Sequence, residues 1–385
     1  MTRVPLFTLQ LVVGLSSLVA LSGCPKTNGG APREGNASGK GGQSGASPTA
    51  EKRQRREKAA EAAQVVVAYT SVDQVFSEPV FRAFEKTSGI KVKAVFDTEE
   101  TKSTGVLNRL LAEAKRPRAD VFWSGDPIRP LILIKRGLVE PYASKVAASI
   151  PSAFRAADHS WTGFAARARV LLVNTKLVSA VNTPTTLTAL VDPRWRGKAA
   201  IANPLFGTTT MHAAALFAAW GDQRAKAFFA KLKANEVRIA SSNGEVKRLV
   251  SSGELAFGLT DTDDAFTALK AGAPVRIVYP DQGMNGRRTK DSSPPLGALV
   301  MPTAVVKLKA SPNGEAGRKL IDFLLGAKVE RMMAERAAHM PMRAGIPTPK
   351  GIKGVAAIKA MPCDYGKLAA TMERIQPWLR TWVGL

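Results

Sequence analysis

The chain of 385 residues has only two cysteines and three histidines. Two cysteines cannot form a disulfide framework, and His159, His212 and His339 lie too far apart in sequence to announce a metal cluster. Each histidine therefore reads as structural. No G-x-S-x-G elbow, Walker loop, H-E-x-x-H or C-x-x-C occurs, so the sequence offers none of the reactions those motifs carry. The composition excludes collagen-like, coiled-coil and wholly disordered chains. Acidic residues are also scarce, 31 against 55 Lys and Arg, which gives a formal charge of +24. Such an excess raises nucleic acid or an acidic membrane surface as a partner. No basic stretch interleaves with aromatics and no nucleic-acid-binding signature appears, so nucleic acid is excluded as a partner. With 45% hydrophobic residues, the chain can bury a large core in one or two domains.

The N-terminus has the grammar of export. Arg3 precedes a mostly apolar run from Val4 to Ala20, and Leu21-Ser22-Gly23-Cys24 follows. This ending resembles the lipobox of bacterial lipoproteins. It implies a signal peptide over 1–23 and a lipidated Cys24 that becomes the mature N-terminus. Cys363 is then left alone, with no histidine near it, and reads as a packed thiol. Residues 24–63 are rich in Gly, Ser, Asn, Pro and Ala and then in charge, without apolar periodicity. They read as a flexible linker, and a coil of ~40 residues spans roughly 35 Å. Up to Ala63 there are 9 Lys and Arg against 4 Asp and Glu, so +19 of the charge belongs to the folded part.

From Val65 onward strands and helices alternate. Val65–Tyr69, Ile90–Val95 and Ala119–Trp123 read as strands with helices between them, which predicts βαβ units on a parallel sheet. Strands over Arg169–Val173, Ala199–Ala202, Val237–Ala240 and Leu255–Leu259 continue the pattern, with helices over Leu187–Leu190, Thr208–Trp220, Gly244–Ser251 and Asp264–Lys270. A third region begins at Val275–Tyr279, and helices run from Asn313 to the end. The length exceeds one doubly wound sheet, so two α/β lobes are expected.

Open parallel sheets bind ligands beyond the carboxyl ends of their strands. Those ends carry Ser71 and Asp73, Ser124 and Asp126, Gly207-Thr208-Thr209, Asn243, and Asp261-Thr262-Asp263-Asp264. Gly207-Thr208-Thr209 opens a helix, where free N–H groups favour an anion or where a threonine simply caps. Three carboxylates within four residues at Asp261, Asp263 and Asp264 exceed the needs of one helix cap. Hard oxygen ligands suit Ca, Mn, Mg or ferric iron, and equally an organic amine. Arg167, at the start of the second lobe, can grip a phosphate, carbonate or carboxylate, or make an interlobe salt bridge. Arg287-Arg288-Thr289-Lys290 reads as a solvated loop. Trp123 and Trp161 either line the cleft or fill core.

These residues resemble the extracellular solute-binding proteins of bacterial ABC importers, and among them the periplasmic ferric-iron-binding branch of the bacterial transferrin type. The resemblance rests on Tyr69-Thr-Ser-Val-Asp73, the segment from Phe81 to Val92, Ala119-Asp-Val-Phe-Trp-Ser124 and Arg167-Ala-Arg-Val170. Gly253 to Asp264 and Lys319 to Leu325 also carry it, within a span from Val65 to about Pro347. It implies a type II periplasmic-binding-protein fold with a ligand cleft between two lobes. Lobe 1 would comprise 64–166 with about 277–325, and lobe 2 would comprise 167–276 with about 326–385. The crossings would fall near Arg167 and Tyr279.

Iron binders of this type use an adjacent tyrosine pair, which the pattern places at Asp263-Asp264. Their histidine falls near Asp73 and their glutamate near Gly125. The resemblance therefore offers Asp73, Asp126, Asp263 and Asp264 as metal ligands. Gly207, Thr208 and Asn243 match positions holding a synergistic anion, and Arg167 matches a basic cleft position. The leading expectation is a lipid-anchored monomer with no resident cofactor. It would carry ferric iron or another metal with an anion to a permease in the inner membrane, from the periplasmic face or the cell surface. A phosphonate, sugar phosphate, amino acid or other zwitterion also fits, and an exported enzyme is the third reading.

Overall fold

A computed structural model describes residues 64–98, 103–283 and 295–385. The expected signal peptide, Cys24, the linker and Arg287–Lys290 lie outside the described residues. The first half alternates as the sequence predicts. Strand β1 (Val65–Thr70) leads into helix α1 (Gln74–Ser88), which ends on left-handed Gly89. Next come β2 (Lys91–Phe96), α2 (Thr104–Ala112), β3 (Val121–Ser124) and α3 (Ile128–Lys135). Strand β1 lies parallel between β2 and β3, so Ser71 and Ser124 leave the same sheet edge.

After a short β4 (Val139–Glu140), the 13-residue β5 (Thr162–Asn174) changes the architecture. Beyond it lie β6 (Ala199–Ala202), α4 (Gly207–Trp220), α5 (Asp222–Ala234), β7 (Arg238–Ala240) and α6 (Asn243–Ser251). The chain continues through β8 (Phe257–Asp261), α7 (Thr262–Lys270), β9 (Val275–Val278) and β10 (Val300–Leu308). It closes with α8 (Gly314–Leu324), α9 (Ala327–Ala337) and α10 (Tyr365–Val383).

The sheet is not wholly parallel, contrary to the expectation from the βαβ pattern. Its order is β2-β1-β3-β10-β5-β8-β6-β7, and β10 runs antiparallel to both β3 and β5. Strand β5 is shared. Its residues 162–168 pair with β10, and its residues 169–173 pair antiparallel with β8. It is buried throughout, as a strand joining two halves must be.

The register with β10 slips between Pro302 and Thr303, because proline brings no N–H to the ladder. Ala165, opposite the slip, adopts φ 48°, and its N–H is taken by the buried carboxylate of Glu330 at 3.3 Å. Glu330 also accepts from the N–H of Met342 and from Arg343. Irregularities of this kind bend a strand and increase its local twist.

Two further differences are local. Leu187–Val191 is a 3-10 turn rather than an α-helix, closed off by Asp192-Pro193. Strand β8 starts at Phe257 and runs on to Asp261, because Arg169 pairs with Asp261.

The apolar stripes give separate cores. Val66 and Ala68 of β1 pack with Val80 and Phe84 of α1, Leu320 of α8, and Val329, Met333 and Ala337 of α9. Val170, Leu172 and Ala200 pack with Val246, Leu249 and Val250 of α6. Helix α4 is buried from Gly207 to Phe217 and carries no polar face, as a core helix requires. Helix α10 covers it through the edge-to-face contact of Phe217 with Trp378 (5.1 Å), and covers α5 through that of Phe229 with Trp382 (5.1 Å). Lys135 and Arg136 at the end of α3 meet Glu373 on the same helix. Trp123 is core, stacked on Phe164, and Trp161 packs edge-on against Tyr365.

Candidate functional site

The expected residues fall into two sets. One is a buried ionic network, and the other lines an open cavity.

The network begins on β5. Arg167 and Arg169 are two residues apart in a strand and so point to one face. Arg169 is fully buried and donates to Asp261 (2.8 Å), Asn243 Oδ1 (2.9 Å), Thr208 Oγ1 (3.1 Å) and Thr209 Oγ1 (3.3 Å). Arg167 donates to Asp263 (3.0 Å), to Asp261 (3.3 Å) and to the Gly125 carbonyl (2.6 Å). Asp261 is the hub: Oδ1 accepts from Arg169, and Oδ2 accepts from Arg167, from Thr208 Oγ1 (2.8 Å) and from Asn243 Nδ2 (3.3 Å).

Burial works against a charge on Arg167, but Asp263, Asp261 and Asp73 outweigh it and raise its pKa above the ordinary arginine value. The donors expected to hold a solute anion, Thr208 and Thr209 at the start of α4 and Asn243 at the start of α6, thus meet an internal carboxylate and an arginine.

A second pair joins this network from the first half of the chain. Asp126 accepts from the N–H groups of Ile128 (2.9 Å) and Arg129 (3.3 Å), capping α3, and its other oxygen lies 3.0 Å from Arg129 Nη1. The same nitrogen donates to the Gly207 carbonyl at 3.2 Å. Both side chains are almost wholly buried. Ser71 Oγ accepts from the Gly125 N–H at 3.0 Å, and Ser124 Oγ from the Asp126 N–H at 3.4 Å. Gly125 is tightly enclosed, since an added Cβ would lie 3.2 Å from Arg167 Nη2 and 3.3 Å from the Ser71 carbonyl.

The expected metal set is therefore not gathered. Asp126 is committed to Arg129 and a helix start, Asp263 to Arg167, and Asp264 lies 3.4 Å from Lys247 Nζ. Among the described residues, no group of three or more His, Cys, Asp or Glu is placed to hold a metal. The four tyrosines in the chain are also committed elsewhere. Tyr69 donates to Glu113, Tyr142 to Asp322 and Tyr365 to the Val300 carbonyl, while Tyr279 accepts from the Lys353 N–H.

The histidines read as structural divide. His339 Nε2 comes within 3.7 Å of Asp263, although burial keeps its pKa below the usual value. His212, one turn past Thr208, has no hydrogen-bond partner among the described residues. Burial, reinforced by Arg169, pushes its pKa down to about 3.

In front of the network lies a cavity of about 430 Å³. It takes Ser71 and Asp73 from the end of β1 and Asp264 from α7, as expected. It also takes Lys247, Lys270 and Arg336, which the sequence did not single out because lysines and arginines on helices are ordinarily solvated. With Asp97, the lining carries three acids and three bases. Such a balanced lining suits neither a bare cation nor a polyanion. Cys363 lies elsewhere, half-buried against the core, and burial pushes its thiol up to about 12.

Comparison with known proteins gives the family and the fold. Residues 131–353 match the bacterial extracellular solute-binding protein family. The chain is 26% identical over 319 residues to iron uptake protein A1 of a Synechocystis species, covering 80% of this chain and 84% of that one. It is 26% identical over 316 residues to a Salmonella typhi protein named for periplasmic 2-aminoethylphosphonate binding, covering 80% and 83%. The crystal structure of iron-bound HitA from Pseudomonas aeruginosa superposes with a TM-score of 0.72 at 22% identity, over 83% of this chain and 99% of that one. The fold is thus the two-lobed periplasmic-binding-protein fold, and the chain belongs to the bacterial extracellular solute-binding protein family.

Proposed function

We propose that this chain is the lipid-anchored solute-binding component of an ABC importer, and that its cleft takes a small charged organic solute rather than a ferric ion. The reading rests above all on the arginines behind the cleft. Three of the four carboxylates offered as metal ligands, Asp126, Asp263 and Asp264, already face a cation of the protein. A ferric ion would have to displace Arg167, Arg129 or Lys247, and each would leave a charge without its partner in a site of low polarity.

In this proposal Cys24 tethers the protein at the periplasmic face or cell surface. Lobe 1 comprises 64–166 with about 277–325 and, by its packing, helix α9; lobe 2 comprises 167–276 with the remaining C-terminal residues. Only the closed state lets both lobes touch the solute, so binding favours closure and presents one shape to a membrane permease. The protein performs no chemistry on its cargo. The relative named for a phosphonate supports the organic class, and the relative named for iron supports the metal alternative.

Native mass spectrometry of freshly purified protein tests the proposal, together with thermal shifts against ferric ion with carbonate or citrate and against small phosphonates, phosphates and amino acids. A retained or stabilising organic solute without turnover is the expected result. Stabilisation by ferric ion alone, lost in the Asp263→Ala, Asp264→Ala double variant, would overturn the organic reading. Turnover of a phosphate ester in proportion to protein would overturn the binding reading.

A further inference from the structure

We propose that the amino-terminal edge of strands β1 and β3 is a docking face for an anionic lipid surface, built as a leucine-floored cavity rimmed by Lys115, Arg118 and Lys309. It is a second site and does not depend on which solute the cleft takes. A cavity of about 330 Å³ opens there between α2, α3 and the end of β10. Its floor holds Leu110, Leu133 and Leu308, all buried. The three cations are exposed and form no ion pair with any described residue.

Glu113, the acid of this lining, is already held. Arg109 Nε lies 3.0 Å from it, and the Tyr69 hydroxyl donates to it at 3.0 Å. The rim therefore keeps three positive charges over an apolar floor. A small soluble anion would match the charge and leave the leucines wet. An apolar protein face would cover the leucines and leave the cations unanswered. A lipid, with an anionic head and acyl carbons directly beneath it, answers both.

Strand register puts the chain's entry into the fold at the same edge. Ala68 of β1 lies opposite Val121 of β3, and the Val67 N–H donates to Asp120, whose carbonyl accepts from the Leu308 N–H. Gln64, whose carbonyl accepts from the Lys91 N–H, thus precedes β1 at the edge that holds the cavity. Residues 51–63, just before it, carry five Lys and Arg against three Asp and Glu. Their net +2 does not neutralise the rim and adds to its attraction for an anionic surface. The other ends of the same strands carry Ser71 and Ser124, about 20 Å away along six extended residues. Docking by this edge therefore points them away from the lipid.

Flotation with phosphatidylcholine vesicles, with and without phosphatidylglycerol, tests this on the full-length chain carrying Cys24→Ser, which has no acyl group of its own. The neutral vesicles measure what the apolar run at 4–20 contributes. Binding should be much tighter to the anionic vesicles and should weaken as salt is added. Each basic side chain at an anionic surface is worth about 1 kcal/mol, or about fivefold in affinity, so combining Lys115→Gln, Arg118→Gln and Lys309→Gln should weaken binding about 100-fold. These positions are exposed, so that variant should keep the parent melting temperature. A control combining Lys176→Gln, Lys226→Gln and Lys231→Gln makes the same change of charge at exposed positions away from this edge, and should bind like the parent. A fluorophore on Ala114→Cys, in the cavity wall, should be quenched by acyl-brominated phosphatidylglycerol.

Equal loss in the two triple variants would make the attraction one of total charge and overturn the docking face. Equal binding to neutral and anionic vesicles, or binding to neither, overturns it as well. Self-association in sedimentation velocity, abolished by the Lys115, Arg118 and Lys309 substitutions in a chain that ignores vesicles, would assign the cavity to a second copy instead. An unquenched fluorophore on vesicle-bound protein overturns the apolar floor as the contact. None of these outcomes bears on solute binding, which native mass spectrometry reads separately.

Discussion

Asp261 is the residue whose removal best separates a supporting network from a ligand. Its side chain is 1% exposed and accepts hydrogen bonds from Arg169, Arg167, Thr208 and Asn243. In Asp261→Ala, Arg167 keeps Asp263 and the Gly125 carbonyl. Arg169, fully buried, keeps only neutral acceptors: Thr208, Thr209, the Asn243 amide and the Leu259 carbonyl. Leaving one buried charge without its counter-ion costs about 3–5 kcal/mol. A folded part of about 320 residues has a melting entropy near 0.7 kcal/mol/K, so the melting temperature should fall by about 5–8 °C.

Asp261→Asn keeps an acceptor and loses the charge, and should fall by less. Differential scanning calorimetry of the solute-free protein measures both. A decrease under 1 kcal/mol for Asp261→Ala, together with complete loss of solute binding, would refute the supporting role and make Asp261 a direct ligand.

Other expected outcomes concern pH, backbone and thiol chemistry. His212 has a folded pKa near 3 against about 6.5 when unfolded, so the unfolded state takes up a proton that the folded state refuses. Its neutral form is fully compatible with folding above pH 6.5. Stability should fall by about 2 kcal/mol between pH 7.5 and pH 5, continue falling toward pH 3, and lose most of that slope in His212→Leu. Urea titrations at the two pH values check this, and an unchanged slope would refute it. Gly297 sits at φ +90°, and an added Cβ would lie 2.4 Å from the Lys359 carbonyl. Gly297→Ala should therefore cost about 2 kcal/mol or more, and a melting temperature equal to the parent's would contradict it. Cys363 should resist iodoacetamide at pH 8 until denaturant is added, since burial holds it as the thiol. Rapid labelling of the native protein by mass spectrometry would count against that environment.

The strand ends were legible because they are local. An apolar run followed by Ser-Val-Asp, Ser-Gly-Asp or Thr-Asp-Thr marks a strand-to-helix turn, and Ser71, Asp73, Ser124, Asp126 and Asp264 all lie at such turns. What the sequence hid was pairing at a distance. Arg169 and Asp261 are 92 residues apart and meet only because β5 and β8 run antiparallel in that register. A signal was present in Phe-Ala-Ala-Arg-Ala-Arg-Val-Leu-Leu-Val, where two arginines share a face inside a fully apolar strand and so require buried acids. Arg129, three residues after Asp126, was readable in the same way as a local pair across a helix start. Lys247, Lys270 and Arg336 were not, because each sits on a helix, where a basic side chain is ordinarily solvated.

If the tyrosine pair of the iron binders falls at Asp263-Asp264, as the resemblance implies, this site differs from theirs in charge before any solute arrives. A tyrosine hydroxyl, with a pKa of about 10, is neutral at pH 7 and can stand empty beside its neighbour without repulsion. Two adjacent carboxylates, unlike two phenols, repel each other unless cations face them. The fold must then supply positive charge of its own. It does so with Arg167 at 3.0 Å from Asp263 and Lys247 at 3.4 Å from Asp264. Once those cations are part of the resting structure, the carboxylates no longer present the uncompensated negative charge that would attract a trivalent ion.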